Sequence, residues 1–407
     1  MTFNPDLNTF KPDLNFPTLD KLAEPSGQAG ARWLFSGEGG DVDLIDCFGD
    51  AGASPISNER MEDWINDGLV AGVPFRQPHM LFNSLRDNEY PLMLGERLGL
   101  GQNVRVFYSN SGQEAVETAI KTARRATGRG WVLGLPGDFH GRSLANLSIQ
   151  DGPEYHHKGF GYPNPQMGVA LGMMEHGAVK VTNPHWGQEA GHGEREISPR
   201  QVAALVISPL NGNNTLEEWP EEVWAMAKVI REAGGVIIFD EVQTGFGRVG
   251  GVPSIISAYG GSLVPMNPDI WCFGKAAGAG WPFSITVTRG DIGDVMDHGS
   301  HFNTMAGSPM GCYLSKRLIE ELEGGMLSTM LDRARDLVDQ FGSKGLYNYG
   351  YMMAIRTDDP KGLCARAREE GLLLITARDT LPVRFTLPYD ISTEDYMEVT
   401  RRLTLCL

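Results

Sequence analysis

The sequence predicts an α/β fold in which a large domain with a mainly parallel sheet is joined to a smaller α+β domain. Between about residues 88 and 290, short apolar runs alternate with amphipathic helical segments, a pattern typical of a parallel sheet covered by helices on both faces. From about residue 313 onward, helical segments dominate and short strands lie between them. A chain of 407 residues is also long enough for two or three domains.

The elements of the large domain are predicted in chain order from these patterns. Strands are expected at 104–108, 131–135, 202–208, 236–240 and 270–273. Helices are expected at 112–127 and from Pro220 to about Ala233, because proline suits the first turn of a helix. Ligands of such sheets collect at the carboxyl ends of the strands, so functional residues are expected directly after them.

The remaining segments define the predicted domains. Helices are expected at 313–323, 330–341, 362–371 and from about 392, with strands at 351–357, 372–376 and 383–388. Residues 1 to about 30 contain a short echo, NPDLNTF and then KPDLNF, which we interpret as an extended arm. A loosely ordered tail is the equal alternative, because nothing in this segment is periodic. We therefore divide the chain into 1–87 (N-terminal arm and part of the small domain), 88–312 (large domain) and 313–407 (C-terminal small domain).

Composition and charge disfavour several classes of protein. No apolar run approaches the roughly 18 residues that a membrane helix needs, and the first residues lack the pattern of a secretory signal, so a cytoplasmic protein is expected. The net charge of −16 argues against general nucleic-acid binding. Five scattered cysteines form no C-x-x-C pair, and His156, His157, His185 and His192 match no zinc spacing, so we expect neither disulfides nor a metal site.

Two residues that follow strands suggest a specific chemistry. Asp240 ends the strand at 236–240 and Lys275 follows the strand at 270–273, so both are expected at the same edge of the sheet. A lysine amine can form a Schiff base with an aldehyde cofactor, and a carboxylate can keep a pyridine nitrogen protonated. Taken singly, such residues are more often a helix cap and a solvated charge. The start of the helix at 112–127 adds a predicted phosphate site, because free N–H groups and the helix dipole favour an anion there.

Five separated segments resemble the class III aminotransferases, which are pyridoxal-phosphate enzymes of fold type I. They are SNSGQEAVETAIKTAR, FHGRS, VIIFDEVQTGFGR, PDIWCFGKAAGAG and HFNTMAGSP, in the order and spacing of that family. The resemblance extends over roughly residues 30 to 400. It implies fold type I, pyridoxal 5'-phosphate as the cofactor, and residues 88–312 as the cofactor-binding domain.

The resemblance also implies roles around the cofactor ring. Lys275 would hold the cofactor as a Schiff base and later move a proton between the substrate and the cofactor. Asp240 would pair with the pyridinium nitrogen. Phe139, next to His140, would stack on one face of the ring, and Val242 would pack against the other.

Further implied roles concern the edges of the cofactor and the substrate. Gln243 would lie near the phenolic oxygen of the ring. Ser111, Gly112 and Gln113 would bind the phosphate, and Thr304 of a second subunit would complete that site, which implies a homodimer with composite active sites. By the same resemblance, Arg384 would bind a substrate carboxylate, since a guanidinium suits bidentate recognition.

The sequence departs from the family pattern in two places. The family usually has Glu-Pro after the strand at 202–208, whereas this chain has Ser208 and Pro209. In the family that glutamate neutralises the arginine, so here Arg384 is expected to seek a carboxylate in every substrate. The usual Gly-His-x-x-Pro stretch is replaced by residues 52–64, so a remodelled substrate entrance is expected near residues 50 to 80.

The expected function is an aminotransferase that moves an amino group between a carboxylate-bearing amino compound and a 2-oxo acid. A decarboxylase or epimerase of the same fold is the alternative, because motif residues do not determine which substrate bond is held perpendicular to the ring. A nicotinamide enzyme is a weaker alternative, since Gly245, Gly247 and Gly250 fit G-x-G-x-x-G but stand apart from the strand. A binding protein without activity is disfavoured by the combination of Lys275 and Asp240.

Overall fold

The computed structural model describes residues 27–35, 42–78, 81–152, 166–183, 193–211, 216–297, 299–376 and 382–407. Most of the arm predicted for residues 1 to about 30 lies outside these ranges. The four histidines considered as metal ligands, His156, His157, His185 and His192, lie outside them as well. Within the described ranges the chain forms α-helices and β-strands in alternation, with three separate sheets.

The strands and helices are numbered separately in chain order. The strands are β1 (Gly27–Ala29), β2 (Arg32–Phe35), β3 (Val42–Asp46), β4 (Val104–Ser109), β5 (Trp131–Gly134), β6 (Met167–Met173), β7 (Val179–Thr182), β8 (Glu194–Ile197), β9 (Val202–Ile207), β10 (Val236–Asp240), β11 (Ile270–Phe273), β12 (Ser284–Arg289), β13 (Leu346–Tyr349), β14 (Met352–Ile355), β15 (Leu372–Leu373) and β16 (Val383–Phe385). The α-helices are α1 (Gly49–Gly52), α2 (Asn58–Val70), α3 (Tyr90–Arg97), α4 (Gly112–Thr127), α5 (Leu144–Leu147), α6 (Glu221–Glu232), α7 (Ile256–Tyr259), α8 (Gly290–Gly293), α9 (Pro309–Glu321), α10 (Leu327–Phe341), α11 (Pro360–Glu369) and α12 (Thr393–Cys406).

A nine-stranded sheet forms the centre of the molecule, in the order β4-β12-β11-β10-β9-β5-β6-β7-β8. The strands β11, β10, β9, β5 and β6 pair in parallel and form its middle. At one side β12 runs antiparallel to both β11 and β4, and at the other β6, β7 and β8 pair antiparallel. The predicted α/β class with a sheet rich in parallel pairs is confirmed, and antiparallel strands complete both edges.

The two faces of this sheet are covered by different helices. Alternate residues of β10 point to opposite faces: Val236 and Ile238 belong to one apolar cluster, and Ile237 and Phe239 to another. Helix α4 adds its buried stripe to the first cluster and helix α6 to the second. The parallel strands are therefore buried on both sides, which explains why their sequences are continuous apolar runs.

The two smaller sheets join segments that are distant in the chain. β13, β14 and β16 form an antiparallel sheet near the C-terminus. β15 pairs in parallel with β3, so the N-terminal strands and the C-terminal region share one sheet. The strand predicted at 372–376 is limited to two residues, and the one predicted at 383–388 ends at Phe385, because the N–H of the next residue, Thr386, donates to the carbonyl of Cys47 instead.

Candidate active site

The carboxyl ends of β10 and β11 meet the start of helix α4 through two glycines. A Cβ atom at Gly112 would lie 2.5 Å from Cγ1 of Val242, and one at Gly274 would lie 3.1 Å from the Cα of Gly112. Contacts this short allow only glycine at Gly112, and they leave little room for a side chain at Gly274. The backbone before Lys275, the start of α4 and the turn after Asp240 are therefore packed directly against one another.

Lys275 occupies an unusual backbone conformation. Its φ angle is +48°, in the left-handed region, and it begins a short 3-10 helix, Lys275–Gly278. The side chain is half-buried. A non-glycine residue in this region costs on the order of 1–3 kcal/mol and is retained where the surrounding structure demands it, often at a functional site. The position predicted for the reactive lysine is thus a strained one.

Asp240 is the buried end of β10 and contacts the ring of His140. Its Oδ2 lies 2.8 Å from Nδ1 of His140, and its Oδ1 accepts a hydrogen bond of 3.1 Å from the N–H of Val242. Both side chains are almost completely inaccessible to solvent. The His140 ring is also 3.5 Å from a second carboxylate, Oδ2 of Asp138, which no sequence pattern singles out.

The loop at 138–142 is fastened to α4 by amide side chains. The N–H of His140 donates to Oε1 of Gln150 (2.9 Å), and Nδ2 of Asn146 donates to the carbonyls of both His140 (2.7 Å) and Gln113 (3.0 Å). The N–H of Arg142 donates to Oε1 of Gln113 at 3.1 Å. Sequence reasoning missed Asn146 and Gln150, because a lone amide residue gives no signal of the contact it will make. Together they fix Phe139 and His140 relative to the helix start.

The start of α4 has the features of an anion site. Oε2 of Glu114 accepts hydrogen bonds from the N–H groups of Asn110 (2.8 Å) and Ser111 (2.9 Å). In the part of the chain that the structure describes, no hydrogen bond engages the next two N–H groups, those of Gly112 and Gln113. These two donors at the positive end of a 16-residue helix can bind an anion such as a phosphate.

Strand β12 holds α4 in place from below. The hydroxyl of Ser284 donates to the carbonyl of Ser111 (2.7 Å), and that of Thr286 donates to the carbonyl of Ala115 (2.7 Å). Both side chains are fully buried. Because each hydroxyl has a partner, burying these polar groups costs little free energy. The two hydrogen bonds also fix the distance between the start of α4 and the sheet.

The other predicted site residues lie around this centre. Gln243 is half-buried in the turn after Asp240, and Phe139 is 36% exposed. Thr304 is exposed, and its neighbour Asn303 is hydrogen-bonded to Asn110 (3.1 Å) and Glu114 (3.0 Å) at the start of α4. The loop that carries Thr304 therefore borders the anion site of its own chain.

Arg384 and Ser208 belong to different sheets. Arg384 lies on β16, where burial lowers the pKa of its guanidinium to about 10. Ser208 follows β9, and its backbone is held on both sides: its N–H donates to Oδ2 of Asp138 (2.8 Å), and its carbonyl accepts from Nε1 of Trp219 (2.7 Å). The Ser208 hydroxyl also hydrogen-bonds to the carboxylate of Asp138.

The glycines that fit G-x-G-x-x-G do not form a dinucleotide site. Residues 241–250 form turns after β10, and the next helix begins only at Ile256. A dinucleotide fingerprint instead opens a helix directly after its strand. At the end of this segment, the guanidinium of the buried Arg248 packs 4.4 Å above the ring of Tyr389 and donates to the carbonyl of Leu387. Arg248 therefore links the turns after β10 to the C-terminal region.

Glu241 follows Asp240 and is fully buried with three hydrogen-bond partners, Ser254, Ile255 and Thr244. Burial raises the pKa of its carboxyl from 4.5 to about 7. The folded protein therefore binds more protons than the unfolded chain between these values, and its stability falls as the pH rises through this range. The loss amounts to about 3 kcal/mol at most.

We expect Glu241→Gln to remove most of this pH dependence. The amide oxygen can accept from the N–H of Ile255, as the carboxyl does, but the amide does not titrate. Urea unfolding of both proteins at pH 5 and pH 8 measures the difference. A variant with the same loss of stability as the wild type between these pH values would show that Glu241 is ionised throughout.

The described residues contain neither a membrane-spanning helix nor a metal cluster. No helix among them is both long and apolar enough to span a bilayer. No group of three or more histidine, cysteine, aspartate or glutamate residues among them is placed to hold a metal ion.

Comparison with known proteins connects this site to one family. The family model for class III aminotransferases matches residues 78–407. Ornithine aminotransferase of Bacillus subtilis is 30% identical over 376 residues, which are 84% of this chain and 86% of that protein. Acetylornithine aminotransferase 1 of Bradyrhizobium diazoefficiens is 29% identical over 316 residues, 72% of this chain and 71% of that protein.

Solved structures show the same fold at lower identity. Ornithine aminotransferase from Toxoplasma gondii has a TM-score of 0.75 and 20% identity, covering 96% of this chain and 91% of its own. An S-selective transaminase from Arthrobacter sp. has a TM-score of 0.73 and 18% identity, covering 95% and 94%. The match of the family model over most of the chain shows that it belongs to the class III aminotransferases and is an aminotransferase.

Proposed function

We propose that the chain uses pyridoxal 5'-phosphate to move an amino group between a carboxylate-bearing amino compound and a 2-oxo acid. The observation that supports this most directly is the buried Asp240, in contact with His140 and at the same sheet edge as Lys275. The likeness to aminotransferases supports the same cofactor, and the structure of the T. gondii enzyme has it at partial occupancy in the active site.

The described residues fit this cofactor. Gly112 and Gly274 let the start of α4, the backbone before Lys275 and the Val242 side chain pack directly against one another, because a Cβ at either glycine would meet the neighbouring backbone or Val242. The N–H groups of Gly112 and Gln113 suit its phosphate. The Ser111 hydroxyl, now bonded to Glu114 at 3.2 Å, would have to turn toward the phosphate to join them. A buried carboxylate at Asp240 suits a protonated ring nitrogen, because the two opposite charges compensate each other away from water.

Each residue has a defined task in this proposal. The bound cofactor supplies an electron sink for the substrate's α-carbon. The Lys275 amine would hold the cofactor and would carry the proton to and from that carbon. Asp240 would pair with the ring nitrogen, Phe139 and Val242 would flank the ring, and Gln243 would lie near its phenolic oxygen.

Transfer of labelled nitrogen distinguishes transamination from the alternatives. The holoenzyme is incubated with a panel of ¹⁵N-labelled amino acids and unlabelled 2-oxo acids, and both labelled products and carbon dioxide are measured. We expect ¹⁵N to appear in a new amino acid without release of carbon dioxide. Carbon dioxide release, or racemisation of the donor without nitrogen transfer, would identify a decarboxylase or an epimerase instead.

We also propose a homodimer in which Thr304 of one subunit completes the phosphate site of the other. Exposed apolar residues in the same loop support a covered surface there: Phe302 is 64% exposed and Met305 is 56% exposed. Dilution into the monomer range should release the cofactor, as followed by ultracentrifugation and cofactor absorbance. A fully active monomer would contradict the composite site.

A cytoplasmic location is also proposed, supported by five cysteines that all remain free thiols.

Ser208 is the basis of a prediction about substrate choice. We expect good substrates to have a carboxylate close to the reacting amine, for Arg384 to bind. Ser208→Glu should introduce a competing carboxylate and raise the KM for α-amino acids roughly tenfold, which corresponds to about 1.4 kcal/mol. It should also improve the use of terminal amines without a nearby carboxylate.

Ser208→Gln is the matched control, because it has the size of glutamate without the charge. Steady-state kinetics with an α-amino acid and a simple terminal amine should separate the two variants. Equal kinetics of both variants, or a wild-type enzyme that prefers carboxylate-free amines, would remove Arg384 from this role.

A further inference from the structure

The imidazole of His140 lies between two carboxylates in a buried position. Nδ1 is 2.8 Å from Oδ2 of Asp240, and Nε2 is 3.5 Å from Oδ2 of Asp138. All three side chains are almost inaccessible to solvent. Nε2 has no hydrogen-bond partner among the described residues, and the carboxylate of Asp138 acts on it through its charge at 3.5 Å.

Asp138 is held in place by two backbone N–H groups and by the hydroxyl of Ser208. Its Oδ2 accepts from the N–H of Ser208 (2.8 Å), and its Oδ1 accepts from the N–H of Phe139 (3.0 Å). Such donors favour the ionised carboxylate, whereas burial acts in the opposite direction and raises its pKa. A positive charge on His140 is the partner that compensates an ionised Asp138 in this site.

The other titratable groups around His140 add no charge next to its ring, so the local charge is set by His140, Asp138 and Asp240. Cys272, opposite Asp240 on β11, is a buried thiol whose pKa is raised by burial, so it is neutral. The Glu241 carboxyl is bonded to Ser254 and Ile255 rather than to the imidazole. The remaining side chains that bond to the His140 backbone, Asn146 and Gln150, carry no charge.

The shift of the His140 pKa agrees with this geometry. Burial alone would lower the pKa of His140, but the nearby Asp138 and Asp240 carboxylates raise it above the ordinary value of 6.5. Two carboxylates and one imidazolium have a net charge of −1. A protonated ring nitrogen beside Asp240 would bring the whole group to neutrality in a site away from water.

We propose that Asp138 is a positioning residue that keeps both ring nitrogens of His140 protonated across neutral pH. The total charge of His140 and Asp240 beside the cofactor ring then stays constant over this pH range. The cofactor part of this inference rests on the proposed function. Without the charge of Asp138, burial should dominate and His140 should lose a proton within the working pH range. The holoenzyme would then gain a titration step that the wild type lacks.

The test uses Asp138→Asn and a matched control. The asparagine keeps the shape, and its carbonyl oxygen can still accept a backbone N–H, but the charge is lost. Asp151→Asn removes a carboxylate that accepts from the same loop, at the N–H of Gly137 (2.7 Å), on an exposed residue without contact to His140. Ring N–H signals of His140 in ¹⁵N-histidine-labelled holoenzyme are followed from pH 6 to 9, with the cofactor absorbance recorded in parallel.

In the wild type and in Asp151→Asn, both ring N–H signals should persist and the absorbance should lack a step from His140. In Asp138→Asn, one N–H should be lost with a midpoint lowered by at least about one pH unit, which is a tenfold change in proton affinity. The absorbance should then show a step at the same pH, and Asp138→Asn/His140→Asn should lack it.

A wild-type His140 ring with a single proton at pH 7 would overturn the inference, and so would an Asp138→Asn titration equal to that of the wild type. If Asp138→Asn does not fold, the wild-type spectrum still tests the inference, because a single ring proton at pH 7 would overturn it. The ring signals report on Asp138 and His140 whether or not the cofactor assignment is right, whereas failure of the proposed function would appear separately, as a protein without cofactor absorbance.

Discussion

Lys275→Ala should reduce amino transfer by roughly four orders of magnitude or more, while the protein remains folded. The substitution removes both the amine that holds the cofactor and the group that carries the proton at the substrate carbon. The phosphate contacts at the start of α4 should remain, so some cofactor should still bind without a covalent link. Single-turnover and steady-state rates of ¹⁵N transfer measure the loss.

A lysine away from the site provides the control. Lys228 is exposed on α6, where it faces Glu232 one turn later. Lys228→Ala should retain wild-type turnover and thermal stability. If Lys275→Ala kept more than a few per cent of the wild-type rate, another amine would have to perform the chemistry.

Asp240→Asn should lower the rate by roughly a thousandfold with little change in fold. The amide is nearly the same size but cannot compensate a positive ring nitrogen, so the electron sink is weakened where charge develops. Its oxygen can still accept from His140 or from the N–H of Val242, and these contacts should preserve the local structure. The rate constant and the far-ultraviolet circular dichroism are the two measurements.

Asp269→Asn is the matched control at the opposite end of the same strands. Asp269 is also a buried carboxylate, and it accepts from the N–H of Ile237 and pairs with Arg231 and Arg289. Its loss should lower stability but leave the rate constant nearly unchanged. Near-normal turnover of Asp240→Asn would remove Asp240 from the proposed role.

The central strands and helix α4 are predictable from the sequence because each has a clear apolar pattern. Strands β9, β10 and β11 are apolar nearly throughout and buried on both faces, and helix α4 was predicted with the bounds that the structure has. The structure brings the predicted residues Gly112, Val242 and Asp240 together at the edge where Lys275 begins its turn. These features follow from local patterns and from the parallel arrangement of the strands.

Other elements were missed for physical reasons. Strand β12 buries Ser284, Thr286 and Thr288, so its sequence looks polar, and hydroxyls of this strand find partners on α4 only in the folded chain. Helix α2 buries only Trp64 and Gly68 of its 13 residues, which leaves too weak an apolar stripe to recognise.

Long-range contacts across the site determine the roles of Asp138, Asn146 and Gln150. Asp138 reaches Ser208, 70 residues away in the chain, and no local pattern encodes that contact. The same holds for the parallel pairing of β15 with β3, which joins the two ends of the described chain. Long-range contacts of this kind set the details of the site, whereas local patterns set the position of its main residues.

Reduction of the holoenzyme with borohydride, followed by peptide mapping, tests the central claim most directly. Borohydride converts a Schiff base between a lysine and pyridoxal phosphate into a stable amine, so the modified lysine can be identified by mass. We predict a single modified peptide, with the cofactor on Lys275. Modification of a different lysine, or the absence of any modified peptide from a protein supplied with the cofactor, would contradict the proposed function.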